Sequence, residues 1–216
     1  MPAPDPEGGW VDISVLLQPG TPEWPGDTPF DCRWTWQMAS GASVNLSAMT
    51  GSPHVGTHAD APLHVRDGDA ASHDLPLGAF LGPAWVSDVQ HLTGEISLGD
   101  LALPDEGPVE RLLLRTGRSI AAGAFPRSWP SLAASAIAGL HQRGLRLLGV
   151  DAPSVDERDN KELRNHHLLF DGGAWVLENL ALGHVDQGPW ELLALPLRVH
   201  GLDAAPVRAL LRARRS

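Results

Sequence analysis

Apolar and polar positions along this chain fall into short alternating or clustered runs, each bounded by Gly, Pro or Asp. That spacing predicts a protein built mainly from strands. Residues 10–17, 33–38, 43–50, 84–90, 111–115, 145–150, 174–177 and 190–196 have the length and punctuation of strands. Helical spacing is rarer. Ser131 is placed to cap a helix whose Leu132, Ala136, Ile137 and Leu140 share a face and which stops before Gly144. Residues 161–169 predict a shorter helix, and 204–214 a third with Pro206 in its first turn. The mixture is α/β, with a mixed sheet and few helices. No repeat or break in composition divides it, so a single domain over residues 10–216 is expected. Residues 1–9, rich in Pro, Gly and acids, read as a disordered leader.

Chemistry concentrates between Ser52 and His64, where His54, His58 and His64, three of the ten histidines, stand with Asp60 in eleven positions. Imidazole nitrogens and a carboxylate oxygen suit a borderline divalent ion, and the absence of thiolates favours a catalytic over a closed structural site. In extended backbone His54, His58 and Asp60 share a face, and Gly56 between them lets the backbone run close to an ion. A helix also aligns His54 with His58, but Pro53, Pro62 and the Gly56-Thr57 pair disfavour one. The expectation is an extended run leaving a strand, turned at Pro62 so that His64 swings back toward the metal.

Other candidates lie downstream and upstream. His166 and Glu178 are separated by the turn signal Asp171-Gly172-Gly173, which lets a helix end and a strand bring both side chains together. Residue types alone leave His167 as an equal candidate and a solvated Glu178 as an equal alternative. Trp24, in the stiff loop Glu23-Trp24-Pro25-Gly26-Asp27, is placed to meet an aromatic ligand or to pack. Asp151 ends an apolar run and suits a site or an ordinary turn. Trp34 and Trp36 share a strand face with Met38, as packing or dimer contacts.

Composition narrows the classes. A chain of 216 residues, 43% hydrophobic, is long enough to bury roughly 70% of its unfolded surface. A net charge of -10 and a pI near 5.3 argue against nucleic acid or an anionic membrane as partner. The one basic cluster, Arg208, Arg212, Arg214 and Arg215, reads as a solvated face at a helix end. Cys32 stands alone, which excludes an intramolecular disulfide, and the start Met1-Pro2-Ala3-Pro4-Asp5 lacks the features of a signal peptide. No run approaches the roughly 18 apolar residues of a membrane span. The cytoplasm is the expected compartment.

The pattern His54-x-Gly56-Thr57-His58-x-Asp60-x-Pro62-x-His64 resembles the signature of the metal-dependent cyclase family, and within it that of the bacterial kynurenine formamidases, or arylformamidases. Further matching stretches run from about Val11 to Leu211. They are Asp12-Ile13-Ser14, Trp24-Pro25-Gly26-Asp27, Leu114-Arg115-Thr116, Gly149-Val150-Asp151-Ala152-Pro153-Ser154, His166-His167, Leu177-Glu178 and Asp203-Ala204-Ala205-Pro206-Val207-Arg208. The resemblance implies the swivelling β/β/α fold and two divalent metal ions per chain, with zinc the foremost candidate. His54, His58 and Asp60 would hold the first ion, and Asp60, His166 and Glu178 the second. It implies His64 as general acid/base, Trp24 at the substrate, and a homodimer or higher assembly. The implied reaction is hydrolysis of N-formyl-L-kynurenine to L-kynurenine and formate in tryptophan degradation.

Three positions depart from the pattern: Asn160 precedes Lys161 where a serine is usual, Ala152 replaces a threonine, and Asn165 replaces an alanine. None removes a proposed ligand. Two alternatives remain: another hydrolase of the family acting on an aryl amide or an isatin-like cyclic amide, and a noncatalytic metal- or ligand-binding protein on the same scaffold.

Overall fold

In the computed structural model, which describes residues 9–214, the strands in chain order begin with β1 (Trp10–Asp12), β2 (Asp31–Trp36), β3 (Leu46–Thr50) and β4 (His58–Asp60). They continue with β5 (Leu81–Asp88), β6 (Glu95–Ile96), β7 (Arg111–Arg115), β8 (Ser131–Leu132) and β9 (Leu147–Val150). β10 (Trp175–Glu178), β11 (Gly188–Leu193), β12 (Ala204–Pro206) and β13 (Leu210–Ala213) complete the set. Two α-helices, α1 (Ala134–Gln142) and α2 (Arg164–Asp171), stand among them. The leader expected over residues 1–9 lies outside the described residues except for Gly9, as do Arg215 and Ser216.

Nine strands form one mixed sheet in the order β1-β13-β11-β5-β7-β9-β10-β4-β12. Its centre, β5-β7-β9-β10, is parallel. The apolar runs of β7 and β9 suit that place, because a parallel strand is covered on both faces. Alternation sorts their side chains. Leu113 joins one core with Ile13, Phe80, Leu147 and Leu177. Leu112 and Leu114 point to the other, where Ile137 and Leu140 of α1 and Leu169 of α2 cover the sheet. The result is the single mixed α/β domain that the sequence predicts.

Two helix expectations are corrected by the structure. Residues 204–214 are not helical: they form β12 and β13, with Val207, Ala209 and Leu211 buried and Arg208 exposed between them. Period-two burial outweighs the helix propensity of the alanines and leucines. Arg212 therefore lies on β13 and Arg208 in the link between the two strands, rather than at a helix end. Arg208 pairs with Asp12 at 2.5 Å, and Arg212 pairs with Glu191 at 2.7 Å while lying over the Trp10 ring. Ser131 and Leu132 likewise belong to β8, and α1 starts at Ala134 without a side-chain cap.

Several boundaries move. α2 begins at Arg164, because Leu163 takes a left-handed conformation with φ 46° that a helix cannot include. The first strand stops at Asp12, with an isolated bridge from Ser14 to Leu180 beyond it. Met38 lies in a short 3-10 turn outside β2, whose register with β3 shifts between Trp34 and Trp36. In the other direction, β10 extends one residue past its predicted end and takes in Glu178.

Candidate metal centre

Sheet pairing assembles the first part of the site. His58 and Asp60 lie two apart on β4 and so share a face, and antiparallel pairing sets Glu178 of β10 opposite His58. On the other side Ala204 of β12 pairs with Asp60, which brings Asp203 to the same place. His54 is not on the strand as expected but in the preceding turn. Gly56 in that turn has φ +76°, and an added Cβ would lie 2.5 Å from Leu17 Cδ2. The glycine is needed for the turn and for packing, rather than for backbone approach to an ion. Thr57 ties the segment down: its hydroxyl donates to Asn179 O at 2.6 Å and accepts from Val15 N–H at 2.9 Å.

His166 arrives from α2. The carboxylate of Asp156 accepts from the backbone N–H groups of Asn165 and His166, at 2.8 and 3.1 Å, and so anchors the helix start. The same carboxylate accepts from His166 Nδ1 at 2.7 Å. His167 turns away and accepts from Arg66 Nε at 3.3 Å. Asn165 anchors the segment further, donating to Leu132 O and Val155 O. Its amide gives that departure from the family pattern a structural role.

The donor atoms converge closely. His54 Nδ1 lies 3.2 Å from Asp60 Oδ1, His58 Nε2 lies 3.2 Å from the same oxygen, and the two nitrogens are 3.1 Å apart. Asp60 Oδ2 is 3.2 Å from His166 Nε2, which is 3.3 Å from Glu178 Oε1. His54, His58 and Asp60 thus form one possible ligand group, and Asp60, His166 and Glu178 another, with Asp60 common to both.

Three observations test whether these residues suit a metal ion. Ligands of a tetrahedral ion at ~2.0–2.1 Å would stand about 3.3–3.4 Å from one another, close to the spacings here. Asp60 is fully buried, and its Oδ1 has no hydrogen-bond partner, a costly omission for a carboxylate unless a cation faces it. Each histidine also has its second ring nitrogen on an acceptor: His54 Nε2 on Asp203 Oδ2, His58 Nδ1 on Gly56 O, and His166 Nδ1 on Asp156 Oδ2. Carbonyls and carboxylates only accept, so these nitrogens donate and the neutral rings turn lone pairs inward. That is the outer arrangement of metal-bound histidines.

Without a cation, protons take its place. Burial disfavours charge on His54, but Asp203 and Asp60 outweigh it and push that ring up to about 9. Burial opposes His58 likewise, and Asp60 with Glu178 pushes it up to about 10. Asp60 is held well below the usual carboxylate range because His58, His166 and His54 overcome its burial. Protons and metal therefore compete for one set of atoms.

A cavity of about 580 Å³ opens over the cluster. His58, His166 and Glu178 are buried at its floor, while His64 and Trp24 line its sides. Pro62 turns the chain into a 3-10 turn, as expected, and His64 returns to within 4.4 Å of the His54 ring, centroid to centroid. Its Nδ1 lies 3.3 Å from Asp203 Oδ2. Trp24 stands at the first corner of a turn with Pro25 next and Gly26 at φ +95°, closed by Asp27 N–H donating to Trp24 O at 2.9 Å. The indole is 39% exposed and meets Phe125 and Trp129 edge-on at 5.4 and 6.0 Å.

With this geometry in place, comparison with known proteins is decisive about kinship. A family model described as putative cyclase matches residues 11–157. The chain belongs to the putative cyclase family. A relative in the family, the kynurenine formamidase of Bacillus mycoides (strain KBAB4), is 45% identical over 206 residues, spanning 94% of this chain and 97% of that protein. Among solved structures, a potential metal-dependent hydrolase with cyclase activity superposes with a TM-score of 0.80 at 28% identity, covering 96% of this chain and 98% of its own. Isatin hydrolase A from Labrenzia aggregata shares the fold, with a TM-score of 0.78 at 24% identity over 94% of this chain and 92% of its own.

Sequence reasoning assigned no site role to four residues that the structure places around the cluster and its cavity. Asp156 and Asp203 hold ring nitrogens, and Phe125 and Trp129 support Trp24. Asp203 stood in a matching stretch but received no role, because the run after it read as a helix. Asp151, by contrast, serves a turn: it accepts from the N–H groups of Thr116 and Gly117 and from the Thr116 hydroxyl.

Proposed function

We propose that this protein is a metal-dependent arylformamidase that hydrolyses N-formyl-L-kynurenine to L-kynurenine and formate in tryptophan degradation. The observation that carries this reading is a buried His/carboxylate cluster at the floor of an aromatic-walled cavity, in a chain 45% identical to a kynurenine formamidase. His54, His58 and Asp60 would hold one divalent ion and Asp60, His166 and Glu178 a second, with zinc suited to these nitrogen and oxygen donors. Such ions supply a water acidified toward neutral pKa and polarisation of the formyl oxygen.

The chain's own residues do the rest. Asp203 accepts the Nδ1 proton of His64 and so leaves Nε2 as the free nitrogen. His64 takes a proton from the attacking water and returns it to the anilide nitrogen as the C–N bond breaks. Proton delivery matters because an anionic anilide leaves poorly. Trp24, braced by Phe125 and Trp129, offers an apolar face to the substrate's aryl ring.

Trp24→Ala is expected to lower kcat/KM for N-formylkynurenine by roughly ten- to hundredfold, the effect of losing one packed ring, while leaving metal content unchanged. A nonaromatic formamide should be little affected. Equal losses on both substrates, with a lower melting temperature, would make Trp24 a structural residue.

The native assembly is proposed to be a cytoplasmic homodimer. Among the described residues no helix is long and apolar enough to cross a membrane. Supporting a dimer, the β2–β3 hairpin presents Trp34, Trp36 and Met38 at 56%, 58% and 58% exposure, an apolar patch of the kind that marks interfaces. Trp34→Ser with Trp36→Ser should shift the sedimentation coefficient to that of a monomer; a wild-type chain that already sediments as a monomer excludes the dimer.

A further inference from the structure

The cavity above the metal centre carries two basic side chains besides its histidines, Arg158 and Lys161, and the reaction chemistry leaves both without a task. Among the described residues neither has a carboxylate within 4.0 Å, although the chain as a whole is acidic. The Arg158 guanidinium lies 5.6 Å from the centroid of Phe125, the ring that braces Trp24, so its charge is held beside the aromatic wall. Among the described residues its one hydrogen bond is a long contact to Arg127 O at 3.4 Å. Most of its donors are therefore free for a ligand.

Burial orders the cavity. The donor cluster is at the floor, whereas Asp159 and Lys161 are exposed and Arg158 is half-buried. A formanilide whose formyl group reaches the floor places its ring against Trp24 and any ring substituent toward these charges. We propose that Arg158, with Lys161 beside it, binds the carboxylate of an amino-acid side arm on the substrate, and that Asp159 between them accepts the ammonium of the same arm. This deepens the arylformamidase reading and rests on it: the site is built for a zwitterionic aryl formamide rather than a plain anilide. A planar guanidinium suits a carboxylate because it donates two parallel hydrogen bonds.

The test compares wild type, Arg158→Gln, Arg158→Lys and Lys161→Gln, all with verified metal content, on N-formylkynurenine and formanilide. Arg158→Gln should raise KM for N-formylkynurenine about tenfold, as loss of a charge-assisted hydrogen bond would, with kcat little changed. Formanilide should be unaffected, and Arg158→Lys should restore part of the difference. Loss on both substrates alike, or on neither, overturns the subsite. Should wild type hydrolyse neither formamide, the arylformamidase reading fails separately, and calorimetry with L-kynurenine and its carboxamide decides the subsite alone. Preference for the acid, abolished in Arg158→Gln, supports it; equal affinity, or no binding of either, overturns it.

Discussion

Asp60→Asn is expected to strip the protein of both proposed metal ions and to leave no turnover above background. Asp60 is the one carboxylate common to both ligand groups, with Oδ1 against His54 and His58 and Oδ2 against His166. An asparagine of the same shape removes the anion that offsets a cation in a fully buried place, and turns amide protons toward lone pairs. Glu178→Gln touches only one of the groups, so its metal content should fall from about two ions per chain toward one. Metal analysis after gel filtration, with circular dichroism as a check on folding, distinguishes the two variants. Full stoichiometry in Asp60→Asn would mean that the ions sit elsewhere.

The second large effect concerns the proton. His64→Ala should lower kcat by roughly 10² to 10⁴ while metal content stays at the wild-type level, if His64 transfers protons as proposed and holds no ion. Asp203→Asn should cost less, about 10- to 100-fold, since it leaves both rings present but removes the acceptor that orients them. Asp203 Oδ2 lies 2.9 Å from His54 Nε2 and 3.3 Å from His64 Nδ1, so one oxygen serves a candidate ligand and the candidate acid/base together. Both rings hold that carboxylate far below its usual range, His54 more strongly than His64. Asp203→Asn should therefore loosen metal as well as slow turnover, whereas His64→Ala should only slow it. Metal loss in His64→Ala equal to that in His54→Ala would reassign His64 as a ligand.

How much of this was readable beforehand follows from distance along the chain. The segment from His54 to His64 was legible because its residues are contiguous and its prolines and glycine exclude a helix. Glu178 and His166 were legible only as candidates. Choosing between His166 and His167 needs the rotation of α2, which Asp156 sets through two backbone N–H groups. Placing Glu178 needs the β10–β4 register, a pairing between residues 120 apart in sequence. The tail misled for a physical reason. Ala204, Ala205 and the leucines near 210 favour a helix in isolation, but pairing with β4, β1 and β11 gives them buried strand positions. That same error left Asp203 without a role. Aromatic support for Trp24 came from Phe125 and Trp129, in a segment with no periodicity to announce it.

The most direct measurement is deformylation of N-formylkynurenine by one preparation whose metal content is determined before chelation, after chelation and after metal is returned. Turnover that disappears with the metal and recovers in proportion to the ions restored, saturating near two per chain, is the expected result. Tight metal binding at the same residues with no hydrolysis of any formamide at any stage would contradict it.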